Sequence, residues 1–281
     1  MPIKQDVKVD DLVFDCLVSG DKESQMVLFL HGFPETSIMW TSLMDEISSE
    51  GFYCVAPNMR GYSKNACPKG KRHYTIDKLA QDVIDLMQHY DKDQIHLVGH
   101  DWGAVVGWYA VYHNPKKFKS WSALSVPHIN AFGKALQKDK SQQKMSKYIK
   151  DFQIPFLPEL KLRKNNFKLL KKIWNKSSPQ EIENYTNIFK QKGSLTAAIN
   201  YYRANFGRKQ LLSIGHIKTP TLFIYGKNDF AIGNYGAERC ANYVDGFFKQ
   251  VTLDAGHWLI QESYNEVKQE VKAHLEKFKK T

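Results

Sequence analysis

A chain of 281 residues, 42% of them hydrophobic, can bury one large core and still shape a cleft, which excludes a scaffold small enough to need disulfide staples. No apolar run approaches the roughly 20 residues that span a bilayer, and no secretory signal pattern stands near the start, so a cytoplasmic protein without a transmembrane segment is expected. The net charge of +11 does not point to nucleic acid: 18 Lys plus Arg stand against 5 Asp plus Glu between residues 128 and 212, the remainder holds 22 against 24, and no nucleic-acid motif accompanies the surplus.

Residues 7–19 alternate apolar and polar around Asp10-Asp11, the pattern of an antiparallel hairpin. The stretch MVLFLHGF at 26–33 is short and continuously apolar, as in a strand buried on both faces, and 52–58, 95–100, 121–127, 221–226 and 250–256 are similar. Helical periods fall between them at 40–49, 76–90, 104–113, 237–244 and 264–278. This alternation predicts an α/β fold with a mostly parallel central sheet flanked by helices. It lapses after residue 127 and resumes at KTPTLFIYG, so the chain divides into a sheet core at 1–127 and 213–281 and an inserted helical cap at 128–212. Lys134, Lys138, Lys144, Lys147, Lys164, Lys168, Lys171 and Lys172 sit at helical spacings beside Met145, Leu169, Leu170 and Ile173, which reads as a solvated helix face, with steering of an anionic substrate or a membrane-surface role as the alternatives. Cys16, Cys54, Cys67 and Cys240 are scattered without metal-like spacing, as expected of free thiols in a reducing compartment.

Reactive groups of open parallel sheets gather beyond the carboxyl ends of the strands. Gly99-His100-Asp101-Trp102-Gly103 follows such a strand and precedes a helix, and small residues two before and two after the centre let the backbone turn sharply, placing Asp101 at the apex over a helix amino end that favours an anion. An ionised carboxylate can displace at a saturated carbon without first losing a proton. It then needs a water activator, for which TLDAGHWL supplies His257, and an acid to orient that imidazole, for which GKNDF supplies Asp229. The turn in FLHGFPE aims the amide of Phe33 at the cleft beside that of Trp102, a pair suited to an oxyanion, and Phe33-Pro34 is a candidate cis bond. His31 and Pro34 shape this loop. His96 and His100 lie on a strand and elbow, not on one helix face, so no metal is expected, and no organic cofactor is called for.

Taken together, HGFPE (31–35), RGYS (60–63), GHDWGA (99–104), SVP (125–127), GKNDF (226–230) and GHW (256–258) resemble the epoxide hydrolase branch of the α/β-hydrolase fold, the branch with an aspartate nucleophile. The resemblance spans nearly the whole chain. It implies two cap tyrosines that hold an epoxide oxygen: YIKDFQ fits the first and implicates Tyr148, NYYR fits the second and implicates Tyr202, with Tyr201 pointing elsewhere. It also implies a small apolar epoxide and water as substrates, an ester on Asp101 as intermediate and a diol as product, and it is compatible with a homo-oligomer. The chain departs from the family at PNMRGYSKN, where Asn58 replaces an aspartate and one glycine is missing, and at FQIPFLPELKL, which lacks the usual Glu-Pro-Gly at the cap entrance.

Three other readings share parts of this pattern. Haloalkane dehalogenases have an asparagine as halide ligand where Phe33 stands, and haloacetate enzymes have an arginine where Trp102 stands. Non-catalytic binding proteins of the same fold typically lose a triad or oxyanion member, and none is lost here. Paired tyrosines suit an oxygen leaving group.

Overall fold

The computed structural model describes residues 1–206 and 213–279. The expected hairpin is present as β1 (Ile3–Val9) and β2 (Leu12–Ser19), turning through Asp10 at φ 50°. The chain continues through β3 (Gln25–Leu30), α1 (Thr41–Ser49), β4 (Phe52–Pro57), α2 (Ile76–His89), β5 (Ile95–His100), α3 (Trp102–His113) and β6 (Phe118–Leu124). Six helices follow: α4 (Ile129–Lys138), α5 (Lys140–Met145), α6 (Lys147–Asp151), α7 (Leu157–Ile173), α8 (Pro179–Lys190) and α9 (Ser194–Asn205). The sheet resumes with β7 (Thr221–Gly226) and β8 (Phe248–Leu253), separated by the short α10 (Asn234–Ala237), and the chain closes with α11 (Leu259–Glu262) and α12 (Tyr264–Lys277). The eight strands lie in the order β1-β2-β4-β3-β5-β6-β7-β8, antiparallel from β1 through β4 and parallel thereafter.

The apolar strands are buried because both faces of the sheet are covered. Met26, Leu28 and Leu30 of β3 join one cluster with α2, α3 and the helices after β6, while Val27 and Phe29 join a second with α1 and α12. The pleat sends successive side chains to opposite faces, so a strand covered on both sides must be apolar throughout. Between β6 and β7 no strand occurs among the described residues, as the lapse in alternation implies. The expected end of that insertion at residue 212 lies outside the described residues.

The helix expected at 237–244 is not continuous. α10 ends at Ala237, a separate 3-10 turn covers Cys240–Tyr243, and Val244 is drawn into a parallel bridge with Ile217. Pairing with Ile217 requires an extended Val244, and this tertiary contact overrides the local helical period. α7 is also interrupted: Asn165, Asn166 and Phe167 have φ of 51°, 52° and 61°, so its first turns and its last turns are two helices joined by a left-handed corner.

α3 crosses the sheet closely because Gly107 faces the ring of Trp121 on β6; a Cβ there would come within 2.1 Å of the indole. Gly107→Ala should therefore lower stability by about 1–3 kcal/mol through overpacking. A reduced urea midpoint measures this, and an unchanged midpoint would mean that α3 can shift freely.

Candidate active site

Asp101 caps α3 by position but not by bonding. Its φ and ψ are 51° and −116°, and its side chain makes no capping hydrogen bond to the helix; instead Oδ1 accepts from the Phe33 amide at 2.7 Å. An ordinary N-cap aspartate would turn back onto its own helix. The elbow turns Asp101 outward, and the positive φ sits on Asp101 itself rather than on the flanking glycines. The flanking Gly103 serves close approach, since a Cβ there would lie 2.1 Å from the Leu30 carbonyl oxygen, and so does Gly32 in the loop after β3, where a Cβ would lie 2.4 Å from Asp101 Oδ1. β3, its following loop and α3 can meet only without those side chains. The Phe33-Pro34 bond in that loop is cis.

His257 reaches the same point from the loop after β8. Its Nδ1 lies 2.7 Å from Asp229 Oδ2, and its Nε2 lies 3.6 Å from Asp101 Oδ2, close enough for charge attraction but too long for a hydrogen bond. Asp229, after β7, is itself fixed by the amides of Ala231 and Ile232, which donate to Oδ1 at 2.7 and 2.9 Å. All three side chains are buried. Burial disfavours a charged imidazole, but the attraction of Asp229 and the carboxylate of Asp101 outweigh it and hold the His257 pKa up to about 10. Burial likewise pushes the Asp101 carboxyl upward, yet His257 and the Phe33 amide leave it below the ordinary carboxylate value. The resting arrangement is an imidazolium between two carboxylates.

Tyr148 in the first turn of α6 and Tyr202 on α9 line the same cavity as Asp101 and His257, with ring centroids 5.8 Å apart. The cavity has a volume of about 580 Å³ and is walled mainly by apolar side chains, Phe33, Phe152 and Leu170 among them. Burial raises both phenols well above the ordinary tyrosine value, helped at Tyr148 by Asp101 and Asp229 and at Tyr202 by Tyr148 and then Asp101, so they are donors and not phenolates at neutral pH. Tyr201 is turned away, its hydroxyl donating to the Arg60 carbonyl at 2.7 Å. Trp102 packs its indole edgewise on Tyr202 at 5.1 Å. The sequence motifs thus converge on one cavity with Asp101, His257, Tyr148, Tyr202 and Phe33 on its wall and Asp229 behind His257.

Several supporting residues carried weaker sequence signals. Ser125 Oγ and His100 Nε2 both donate to the His257 carbonyl, at 2.8 and 2.9 Å, fixing the loop that carries the imidazole. Behind His100 the fully buried Glu35 accepts from Gln261 Nε2 at 2.7 Å. Ser125, His100 and Glu35 lie inside motifs, yet nothing in the sequence assigns them these partners. Gln142 had no signal at all: from α5 it donates to the Ala231 carbonyl at 2.8 Å and accepts from the Gly233 amide at 2.7 Å, gripping the Asp229 loop. Gln153 donates to the Tyr202 carbonyl at 3.3 Å, and Arg203 holds the Phe152 and Ile154 carbonyls while pairing with both oxygens of Glu159. The departure at Asn58 is absorbed locally: Asn58 Oδ1 accepts from the amide and hydroxyl of Ser37, and Ser63 Oγ donates to the Asn58 carbonyl. His31 stays neutral, lowered to about 4 by burial, with Nδ1 donating to the Gly32 carbonyl and Nε2 accepting from the Met59 amide. Among the described residues no group of His, Cys, Asp and Glu is arranged to hold a metal ion.

A family model described as alpha/beta hydrolase fold matches residues 25–264. Epoxide hydrolase 4 of Homo sapiens is 31% identical over 270 residues, covering 91% of this chain and 74% of that protein. Epoxide hydrolase 3 of Xenopus tropicalis is 31% identical over 281 residues, covering 96% and 76%. The crystal structure of a Bacillus megaterium epoxide hydrolase in complex with an inhibitor superposes with a TM-score of 0.89 at 27% identity, covering 97% of this chain and 100% of that one.

The imidazolium is directly measurable. Because the raised pKa depends on both carboxylates, histidine-selective NMR should find His257 charged up to about pH 10, and Asp101→Asn should lower that midpoint. The folded state gains stability from this proton below the ordinary histidine range and loses it as pH rises towards about 10. A ring already neutral at pH 8 in the unaltered protein would contradict the assignment.

Proposed function

The chain belongs to the alpha/beta hydrolase fold family and, within it, to the epoxide hydrolases, and from that premise we propose that it converts an epoxide and water to a vicinal diol through an ester on Asp101. The observation that carries the reading is the confrontation, across one apolar cavity, of a carboxylate with two buried phenols. A carbonyl substrate would need a nucleophile activated by a base; a strained ring needs an ionised oxygen on carbon and a proton for the departing oxygen.

The steps follow from the contacts. With Asp101 Oδ1 held by the Phe33 amide, Oδ2 is the attacking oxygen. It bonds to an epoxide carbon as that carbon's bond to the ring oxygen breaks, and Tyr148 or Tyr202 delivers a proton to the departing oxygen. Esterification removes the negative charge of Asp101, one of the groups holding the proton on His257. The imidazolium then returns its proton to the tyrosinate, which lies far higher on the pH scale, and becomes the neutral base that the second step requires. His257 takes a proton from water, the hydroxide adds to the Asp101 carbonyl carbon, and the negative oxygen is received by the Phe33 and Trp102 amides. Collapse breaks the ester bond, the imidazolium protonates the leaving alkoxide, and the diol departs. Asp101, left as a carboxylic acid with one oxygen from water, passes its proton to His257 and the resting ion pair is restored.

The helices α4 to α9, read as a cap, supply the two tyrosines and shield the cavity from bulk water, which strengthens every charge interaction within. The mainly apolar walls support an apolar substrate. The four cysteines are free, which supports a reducing, cytoplasmic location; no helix among the described residues is long and apolar enough to cross a membrane. A dehalogenase reading lacks support, since Phe33 offers no side-chain halide donor.

Single turnover of a styrene oxide in heavy-oxygen water should place the label in Asp101, and His257→Gln should accumulate an adduct of substrate mass by intact mass spectrometry, with none in Asp101→Ala. Label confined to the diol would replace the ester with direct attack by water. Release of chloride from a haloalkane panel without diol from epoxides would favour the dehalogenase. Tyr148→Phe or Tyr202→Phe should lower kcat about 10²-fold or more, whereas Tyr201→Phe should leave it within about threefold; equal losses at all three would assign the tyrosines to packing.

A further inference from the structure

The mouth of the cavity lies within a patch of side chains that the active-site chemistry does not use. Ile154, Leu157, Leu169 and Phe230 line the cavity and are also solvent-exposed, so they mark its rim. Beside them Phe156 and Leu160 are exposed by 78% and 68% and line nothing. These six account for most of the large exposed apolar side chains among the described residues, and they concentrate on one face. Scattered exposed apolar residues need no explanation, but a cluster around an opening does.

The backbone presents this cluster deliberately. Phe156 has φ 61°, and the left-handed corner at Asn165, Asn166 and Phe167 closes the other side, so the first turns of α7 stand out as a separate helix between two sharp bends. Glu159 and Leu162 anchor its inner face, the first through its pair with Arg203, the second in the core. The outer face carries Phe156, Leu157, Leu160 and Lys161, and exposed Lys164, Lys168 and Lys172 follow. None of these lysines forms an ion pair among the described residues. Asp151 is the one acidic side chain at the cavity wall besides Asp101.

We propose that this face docks on an anionic lipid surface, with Phe156, Leu157 and Leu160 entering the headgroup boundary, the lysines against the acidic headgroups, and the cavity mouth turned towards the bilayer. An apolar tip bordered by lysines is the chemistry of interfacial binding. A second copy of the chain fits less well, because a two-fold contact through this face would set the lysines against themselves. The consequence for uptake rests on the epoxide reading: an apolar epoxide concentrates in the bilayer and would enter without crossing water. The docking itself does not.

Co-sedimentation with vesicles of phosphatidylcholine, alone or with about 30% phosphatidylserine, tests it without any turnover. Pelleting should require phosphatidylserine and weaken roughly tenfold between about 0.05 and 0.5 M salt. The Phe156→Ser/Leu160→Ser variant should lose at least about tenfold in vesicle affinity, and Lys168→Gln/Lys172→Gln roughly fivefold per lysine removed. These positions do not line the cavity, and thermal unfolding of each variant checks its fold. The proposal is overturned by absence of pelleting with either vesicle, or by pelleting that survives the serine variant, which would reduce it to unspecific basicity. A dimer seen by light scattering without lipid, and abolished by the same serine variant, would give the face to a second copy and overturn it equally.

Discussion

Burying the Asp101 carboxylate in a cavity walled by aromatic and aliphatic side chains would cost several kcal/mol if nothing answered its charge. Two things answer it: the Phe33 amide on one oxygen and the His257 imidazolium facing the other. Each in turn demands its own support. The amide can reach Asp101 only because Gly32 has no side chain, and the imidazolium persists only because Asp229 stands behind it, itself held by two amides. The strands, the elbow and the loop after β8 are positioned by this chain of compensations.

On the proposed mechanism the same balance lets the site run two different steps. While Asp101 is ionised it keeps His257 protonated and so prevents the imidazole from acting as a base. Once Asp101 is esterified its charge is gone and the restraint on the proton weakens. On that mechanism the order of the chemistry follows from the electrostatics of the Asp101–His257 pair. A serine at position 101 would remove that control, because its hydroxyl carries no charge to lose.

What the sequence disclosed and what it hid divide along the range of the interactions. Strands buried on both faces are apolar at every position, and the elbow compresses its geometry into five consecutive residues, so both are legible from local pattern. The tyrosines were legible only through the resemblance, since in a chain with 14 tyrosines no local feature separates Tyr202 from Tyr201. The helix expected at 237–244 was misjudged because a bridge from Ile217, far away in sequence, pulls Val244 out of it. Gln142 leaves no trace for the same reason, whereas Gln153 closes YIKDFQ and is legible only through the resemblance. A single polar residue whose partners lie on another element leaves no periodicity.

Those glutamines determine how the cavity can be entered. Gln142 binds the loop that carries Asp229, and Gln153 binds the carbonyl of Tyr202, while Arg203 fixes the segment between α6 and α7. Swinging the helices after β6 away from the sheet would break these bonds and displace the loop of Asp229, which orients His257, and the helix of Tyr202. Each buried group left without its partner would cost about 1–3 kcal/mol. An opening of that kind would dismantle the site on every turnover. Entry through the existing mouth beside Phe230 and Leu157 leaves all of these bonds intact, which is why the properties of that rim, apolar at the edge and basic around it, decide what can reach Asp101.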